Sequence, residues 1–244
     1  MKQTVFKIKE NRFLTETVLE MKLAGDTAGI SCGQFVNILI DGLYLRRPIS
    51  VCDLLGGELT LVYKIVGKGT EKMSSMKKGE TLDLLTGLGN GYDLSQAGEK
   101  PLLLGGGVGV PPLYLLAKKL IAAGKTVSVV LGFNTAKEIF YEEEFKKLGA
   151  NVTVCTADGS YGVKGFVTDA MKDEEYSYFY TCGPEPMLKA VFSTSVTSGQ
   201  FSFEERMGCG FGACMGCSCK TIYGNKRICK EGPVLKKEEI LWQK

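Results

Sequence analysis

Short runs in which apolar positions alternate with polar ones, or in which β-branched and aromatic residues cluster, fill the first part of the chain. T-V-F-K-I, Q-F-V-N-I-L-I, P-I-S-V-C and L-T-L-V-Y-K-I-V are the clearest. D-G, G-G and G-K-G separate them as turn signals. Residues 1 to about 98 therefore predict an all-β unit, a small barrel or sandwich. The period changes at Pro101. L-L-L-G-G-G-V-G-V-P-P-L-Y-L-L-A-K-K-L reads as buried strand, glycine turn and helix, with one of the two prolines suited to the first helical turn, where a missing N–H costs nothing. Strand T-V-S-V-V-L-G-F, helix K-E-I-F-Y-E-E-E-F-K-K-L, strand N-V-T-V-C-T-A, a helix near Val167 to Lys172, strand Y-S-Y-F-Y and helix E-P-M-L-K-A-V-F follow. Strands alternating with helices imply a parallel sheet covered on both faces. After Gln200 the pattern gives way to a cysteine-rich tail.

Composition narrows the chemistry. The 244 residues are 44% hydrophobic and 23% charged, enough for a large core in an ordinary globular protein. A net charge of +3 without a long basic run gives no reason to expect nucleic acid. The N-terminus lacks the apolar core of a signal peptide, and the longest apolar stretch, Leu102 to Ala117, is interrupted by four glycines and two prolines, so no membrane span is expected. A cytoplasmic protein is expected, and a reducing compartment argues against a disulfide knot, as does the odd count of nine cysteines. The chain has no histidine. This removes Ser-His-Asp and Cys-His catalysis, Rieske ligation, His-ligated haem and every imidazole-containing zinc site.

Before the cysteine tail, three motifs remain as candidates. Gly105, Gly106, Gly107 and Gly109 lie between a strand and a helix, where small residues and free helix N–H groups can receive a phosphate. The strict G-x-G-x-x-G pattern fails at Val110, and no acidic residue closes the next strand; a tight strand–helix turn is the competing reading. Cys182-Gly183-Pro184 follows a strand of the same domain, at the end where open α/β sheets bind ligands; taken alone, Cys182 reads more readily as a buried structural cysteine. The lack of Arg or Lys at Gly132 to Thr135 leans towards NADH over NADPH. In Arg46-Arg47-Pro48-Ile49-Ser50 an arginine suits a pyrophosphate and Ser50 can donate to a polar ring atom, against the plainer reading of a salt bridge at a sheet edge.

The tail holds Cys209, Cys214, Cys217 and Cys229 in the spacing C-x4-C-x2-C-x11-C. Its first part matches the plant-type [2Fe–2S] spacing, and Gly208, Gly210, Gly212, Ala213 and Gly216 leave room for a loop to wrap a cluster. A four-cysteine zinc site, which more often uses two separated C-x2-C pairs, stands as the alternative. The pattern is complete without Cys219, which is read as a non-ligand.

Taken in order, R-R-P-I-S, G-K-G-T, L-G-G-G-V-G-V-P-P, T-C-G-P-E-P-M and E-E-R-M-G-C-G-F-G-A-C-M-G-C with I-C-K-E-G-P-V resemble the ferredoxin-reductase superfamily of flavoproteins over nearly the whole chain. Within it they are most similar to the electron-transfer subunits of class 1B dihydroorotate dehydrogenases. The resemblance implies an antiparallel β-barrel FAD domain over residues 1–98, an α/β parallel-sheet NAD-binding domain over 99–203 and a [2Fe–2S] domain over 204–244. It implies that Arg47, Pro48, Ile49 and Ser50 hold FAD, that Lys64, Ile65 and Val66 line the flavin site, and that Gly69 and Thr70 take its phosphates. Gly105, Gly106, Gly107, Gly109, Cys182, Gly183 and Pro184 would receive NAD(H), and Cys209, Cys214, Cys217 and Cys229 would ligate the cluster. The implied function is electron transfer between NAD and an FMN-containing catalytic subunit that oxidises dihydroorotate in pyrimidine (UMP) biosynthesis, in a heterotetramer of two of each subunit. An NAD(P)H–ferredoxin or hydrogenase-linked reductase subunit is the alternative on this scaffold. A zinc-stabilised nucleotide-sensing protein without turnover is the alternative of another class.

Overall fold

The computed structural model describes residues 1–242. Strands β1 (Lys2–Phe13), β2 (Val18–Ala24), β3 (Phe35–Ile38), β4 (Arg47–Leu55), β5 (Glu58–Lys64) and β6 (Thr81–Leu88) close into a barrel in the order β1-β2-β5-β4-β3-β6. Every pairing in it is antiparallel. Alternate residues such as Phe6, Ile8, Leu19, Met21, Leu23, Leu59 and Leu61 fill the interior, as the pleat requires. Each such buried side chain contributes roughly 1.5–3 kcal/mol. The all-β expectation misses one element. Helix α1 (Lys68–Ser75) sits between β5 and β6, where G-K-G reads as a turn. The Thr70 hydroxyl accepts from the N–H groups of Val66 (2.9 Å) and Gly67 (3.3 Å) and so starts this helix.

The second unit comprises β7 (Pro101–Gly106), α2 (Pro112–Ala122), β8 (Ser128–Phe133), α3 (Glu142–Leu148), β9 (Asn151–Thr156), β10 (Val163–Lys164), α4 (Val167–Met171), β11 (Tyr178–Cys182), α5 (Glu185–Thr194) and β12 (Gly199–Ser202). Leu102, Leu103 and Leu104 are all fully buried, the continuous apolar run of a strand covered on both faces. The helix expected over 137–148 is shorter. A 3₁₀ turn covers Ala136–Glu138, and Tyr141 takes a left-handed conformation, φ 68°, immediately before α3. The reason is tertiary. The Tyr141 hydroxyl crosses to the barrel and donates to Glu20 Oε2 at 2.7 Å, while Arg12 holds the other carboxylate oxygen at 2.8 Å. Lys118 of α2 adds a second tie to the barrel, at 2.9 Å from Asp53 of β4.

The tail contains hairpin β13 (Ser218–Thr221) and β14 (Gly224–Arg227), then β15 (Val234–Lys236). β15 pairs antiparallel with β12, so the seven-stranded sheet, β10-β9-β8-β7-β11-β12-β15, runs across the expected boundary at residue 203. Asn90, just after the barrel, fixes the tail from the other side. Its amide donates to the carbonyls of Glu231 (3.1 Å) and Val234 (2.7 Å) and accepts from the Val234 N–H (2.9 Å). No described helix is long and apolar enough to cross a membrane.

Tyr141→Phe keeps the ring but removes a donor from a buried carboxylate, so it is expected to lower stability by about 1–3 kcal/mol. A urea or thermal unfolding curve checks this; an unchanged midpoint would show that the inter-domain bond contributes nothing.

Candidate flavin, nucleotide and iron–sulfur sites

The two adjacent arginines have different partners. Arg46 is consumed within the barrel: it ion-pairs with Asp83 at 2.6 Å and donates to the carbonyls of Asn37 (3.2 Å) and Asp83 (3.1 Å). Arg47 makes no ion pair among the described residues; its guanidinium reaches the Leu45 carbonyl and lies against Gly69. A Cβ on Gly69 would run into that guanidinium. Glycine therefore lets an arginine lie along the first turn of α1, beside its free N–H groups. An unpaired arginine on a helix N-terminus fits a pyrophosphate. Thr70 belongs to the same turn, but its hydroxyl is engaged with the 66–67 backbone, so its role there is to shape the loop. Lys64 and Val66 are exposed and Ile65 is half-buried on the adjoining surface. Pro48 and Ser50 lie on β4 across from Asn37 and Phe35 of β3.

The glycine loop and the C-G-P turn are brought together. Successive strands run from β7 outward through β8 and β9, and the chain then returns to place β11 on the other side of β7. The strand order reverses between β7 and β11, and the crevice at that reversal is where open α/β sheets bind ligands. Cys182 pairs with Gly105 across this seam. A Cβ on Gly109 would strike the Cys182 carbonyl, and one on Gly106 would stand 2.5 Å from Met187 Sδ and 3.2 Å from Pro184. The glycines thus allow close packing of the two motifs as well as close approach of a ligand. Cys182 is partly exposed in the cleft, yet burial of its sulfur pushes the thiol up to about 12, against the pull of a hydrogen bond with Ser202. The side chain is neutral near pH 7.

One residue of this cleft escapes sequence reasoning. No acid closes β8, but the 3₁₀ turn after it brings Glu138 back to the strand end, where it accepts from the Asn134 side chain at 3.0 Å. A carboxylate there suits a ribose hydroxyl and repels a 2′-phosphate.

The four cysteines form two pairs. Cys209 and Cys214 have sulfurs 3.4 Å apart. The Cys229 N–H lies 3.4 Å from Cys217 Sγ, and the two thiols adjoin. Burial acts to raise the Cys209 thiol, but the backbone N–H groups of Cys214, Phe211 and Ala213 together with the Cys214 thiol outweigh it and bring it down to about 6. Burial and the neighbouring Cys217 push Cys229 up to about 12. Among the described residues no three His, Cys, Asp or Glu side chains converge on one metal position. A zinc ion needs four ligands around a single point, whereas a two-iron cluster takes its thiolates in two pairs. Gly208 and Gly216 each leave the flank of Cys214 Sγ open, with a Cβ there standing 3.5 and 3.6 Å away. Arg227 braces the loop through the Gly212 carbonyl and through Glu231, whose carboxyl it holds down to about 2. Cys219 lines a separate groove of about 560 Å³ with Pro184 and Trp242.

Residues 204–241 match the iron–sulfur cluster binding domain of dihydroorotate dehydrogenase B, and residues 103–192 match the oxidoreductase NAD-binding domain. The dihydroorotate dehydrogenase B (NAD(+)) electron transfer subunit of Bacillus pumilus is 42% identical, covering 98% of each chain. That of Fusobacterium nucleatum is 45% identical, covering 93% of this chain and 94% of its own. The chain belongs to this family of electron transfer subunits. The scaffold also reaches further: a chain in a structure of the NADH-dependent reduced ferredoxin–NADP oxidoreductase superposes with a TM-score of 0.89 at 31% identity, covering 97% of this chain and 90% of that one. FAD, [2Fe–2S] and NAD(H) are the cofactors of the family's architecture, and the zinc alternative falls away.

Arg47→Ala is expected to weaken FAD binding roughly 10- to 100-fold, the effect of one charged hydrogen-bonding group, with little change in unfolding. Arg46→Ala should do the reverse, lowering barrel stability first; flavin titration and melting curves separate the two. Glu138→Gln should narrow the preference for NADH over NADPH by about tenfold by removing a like charge from the 2′ position, read from kcat/KM with each nucleotide. An unchanged ratio would remove Glu138 from the nucleotide site.

Proposed function

We propose that this chain passes electrons between NAD(H), held at the β7–β11 crevice, and the catalytic subunit of a dihydroorotate dehydrogenase, through FAD on β4 and α1 and [2Fe–2S] on Cys209, Cys214, Cys217 and Cys229. When bound, NAD(H) would supply a hydride donor or acceptor, FAD the conversion between paired and single electrons, and [2Fe–2S] one-electron transfer. The chain's own residues position and insulate. Arg47 and the first turn of α1 bind phosphate, and Ser50, whose hydroxyl makes no hydrogen bond among the described residues, offers a donor beside them. Cys182 presents a neutral thiol in the nucleotide cleft. With no histidine in the chain, and none needed for hydride exchange with a flavin, no side-chain proton transfer is assigned.

The observation that carries this reading is the sharing of one outer face of the barrel. In antiparallel strands, residues directly opposite lie on the same face. Phe35 and Asn37 of β3 oppose Ser50 and Pro48 of β4. Phe35 shares an apolar cluster with Leu85, Leu88, Cys217, Ile228 and Cys229, so the face carrying Pro48 and Ser50 continues directly into the cluster loop, while Arg47 and Ile49 oppose the interior residues Ile38 and Val36. Exposed Phe211 and Met215 flank the ligands, an apolar rim suited to a docked partner. That partner is an FMN-containing subunit that oxidises dihydroorotate, in an assembly of two of each chain and in the service of pyrimidine synthesis. A ferredoxin- or hydrogenase-linked role is less supported, because the dihydroorotate relatives are the more identical ones.

Co-expression with its natural partner is the test. The complex should contain FMN and should reduce NAD with dihydroorotate. Cys229→Ser should abolish that turnover and the cluster absorption; Cys219→Ser should keep both. Co-purification with a hydrogenase or a glutamate-synthase-like subunit, or wild-type turnover in the Cys229→Ser complex, would contradict the proposal.

A further inference from the structure

Asn37 is a polar residue in an apolar seam. It lies on β3 between barrel and tail, 1% exposed, opposite Leu85 on one side and Pro48 on the other. Phe35, two residues earlier on the same face, packs on Leu88, Cys217, Ile228 and Cys229. A leucine at position 37 would continue that packing. Instead the Asn37 Nδ2 donates to the carbonyl of Cys209 at 3.3 Å, and Oδ1 is left buried without a partner among the described residues. The orientation is forced: turning the amide over would set two oxygens against each other. A half-satisfied buried amide costs stability, so its presence points to the bond it does make.

The loop is shaped around this amide. Gly210, the next residue after Cys209, has φ 73°, and a Cβ on it would run into Asn37 Nδ2. The amide therefore occupies the space that a side chain at 210 would need. On its other side the Asn37 carbonyl accepts from Arg46, the residue that leads into the flavin strand. One residue thus joins the backbone of the flavin strand pair to the peptide of the first cluster ligand.

We infer that Asn37 is a positioning residue that holds the Cys209 peptide and raises the reduction potential of the cluster relative to the flavin. This rests on the placement of [2Fe–2S] at the four cysteines given above. The reduced cluster carries one more negative charge than the oxidised one. The Asn37 N–H dipole sets its positive end towards the Cys209 peptide, so it favours that extra negative charge electrostatically, and by holding the peptide it keeps the ligand oriented, the part that outer-shell partners of a metal site play. Removing the donor, or replacing it by an acceptor, makes the cluster harder to reduce.

The experiment is a reductive titration of the FAD- and cluster-loaded protein, with cluster and flavin followed separately by electron paramagnetic resonance and absorption. Asn37→Leu should shift the one-electron equilibrium away from the reduced cluster by about tenfold, or about 59 mV. Asn37→Asp, with nearly the same shape, should shift it at least as far in the same direction. The flavin should move much less in both, and Asn37→Gln should recover part of the shift. If Asn37→Leu does not hold its cluster, Asn37→Asp is decisive alone. An unchanged cluster potential in Asn37→Asp, or flavin and cluster moving together as a general loosening would make them, overturns the inference. A wild-type chain that takes up no cluster would instead overturn the ligand assignment on which it rests.

Discussion

The pairing of β3 with β4 is the contact on which the arrangement depends. It sets Phe35 and Asn37 beside Ser50 and Pro48 on one outer face of the barrel. Transfer of single electrons between two groups falls steeply with their separation, so a relay needs them close and held still. Two neighbouring strands of a closed sheet provide that. Barrel closure leaves these strands without a free edge and fixes their register, because a shift of one residue would turn Asn37 into the interior and Val36 out of it.

The other two units are fastened to this barrel by different means. The α/β unit is joined by polar ties between buried or partly buried groups, Tyr141 to Glu20 and Lys118 to Asp53, around a continuous apolar core. The tail is joined by backbone to the α/β unit, where β15 completes the sheet beside β12, and to the barrel's exit by Asn90, which satisfies three peptide groups of the segment around Val234. The cluster loop is rich in glycine between its apolar anchors Met207, Cys209 and Cys217, so much of its shape comes from its neighbours. Arg227, itself held by Glu231, and Asn37 each grip a carbonyl of the loop, those of Gly212 and Cys209.

Local features were the readable ones. The β7 glycine turn, the C-G-P turn and the cysteine spacing are short patterns whose chemistry needs those residues at those intervals. Even so, the sequence could not show that the first two share one crevice, since that follows from the return of β11 beside β7. Helix α1 was hidden because its opening glycines also spell a turn. Tyr141 looks helical by periodicity and is not, because a carboxylate 121 positions away claims its hydroxyl. Arg46 and Arg47 are the same residue type side by side, and only Asp83 distinguishes their roles. Glu138 sits four residues past the place where an acid was sought, returned there by a 3₁₀ turn. Asn37 carried no sequence signal at all: its partner is 172 residues away, and an asparagine between two apolar residues of a strand reads as an ordinary surface position.

In the proposed relay the order in space is nucleotide, then flavin, then cluster, with barrel strands β3 and β4 holding the last two together. Rapid mixing of the fully loaded chain with NADH, in the absence of any partner, reads this order in time. The flavin absorption should bleach first and the iron–sulfur absorption should follow from it. Loss of the cluster should leave the first phase at its original rate. A cluster that bleaches ahead of the flavin, or that is reduced by NADH in protein stripped of FAD, would rule out that order.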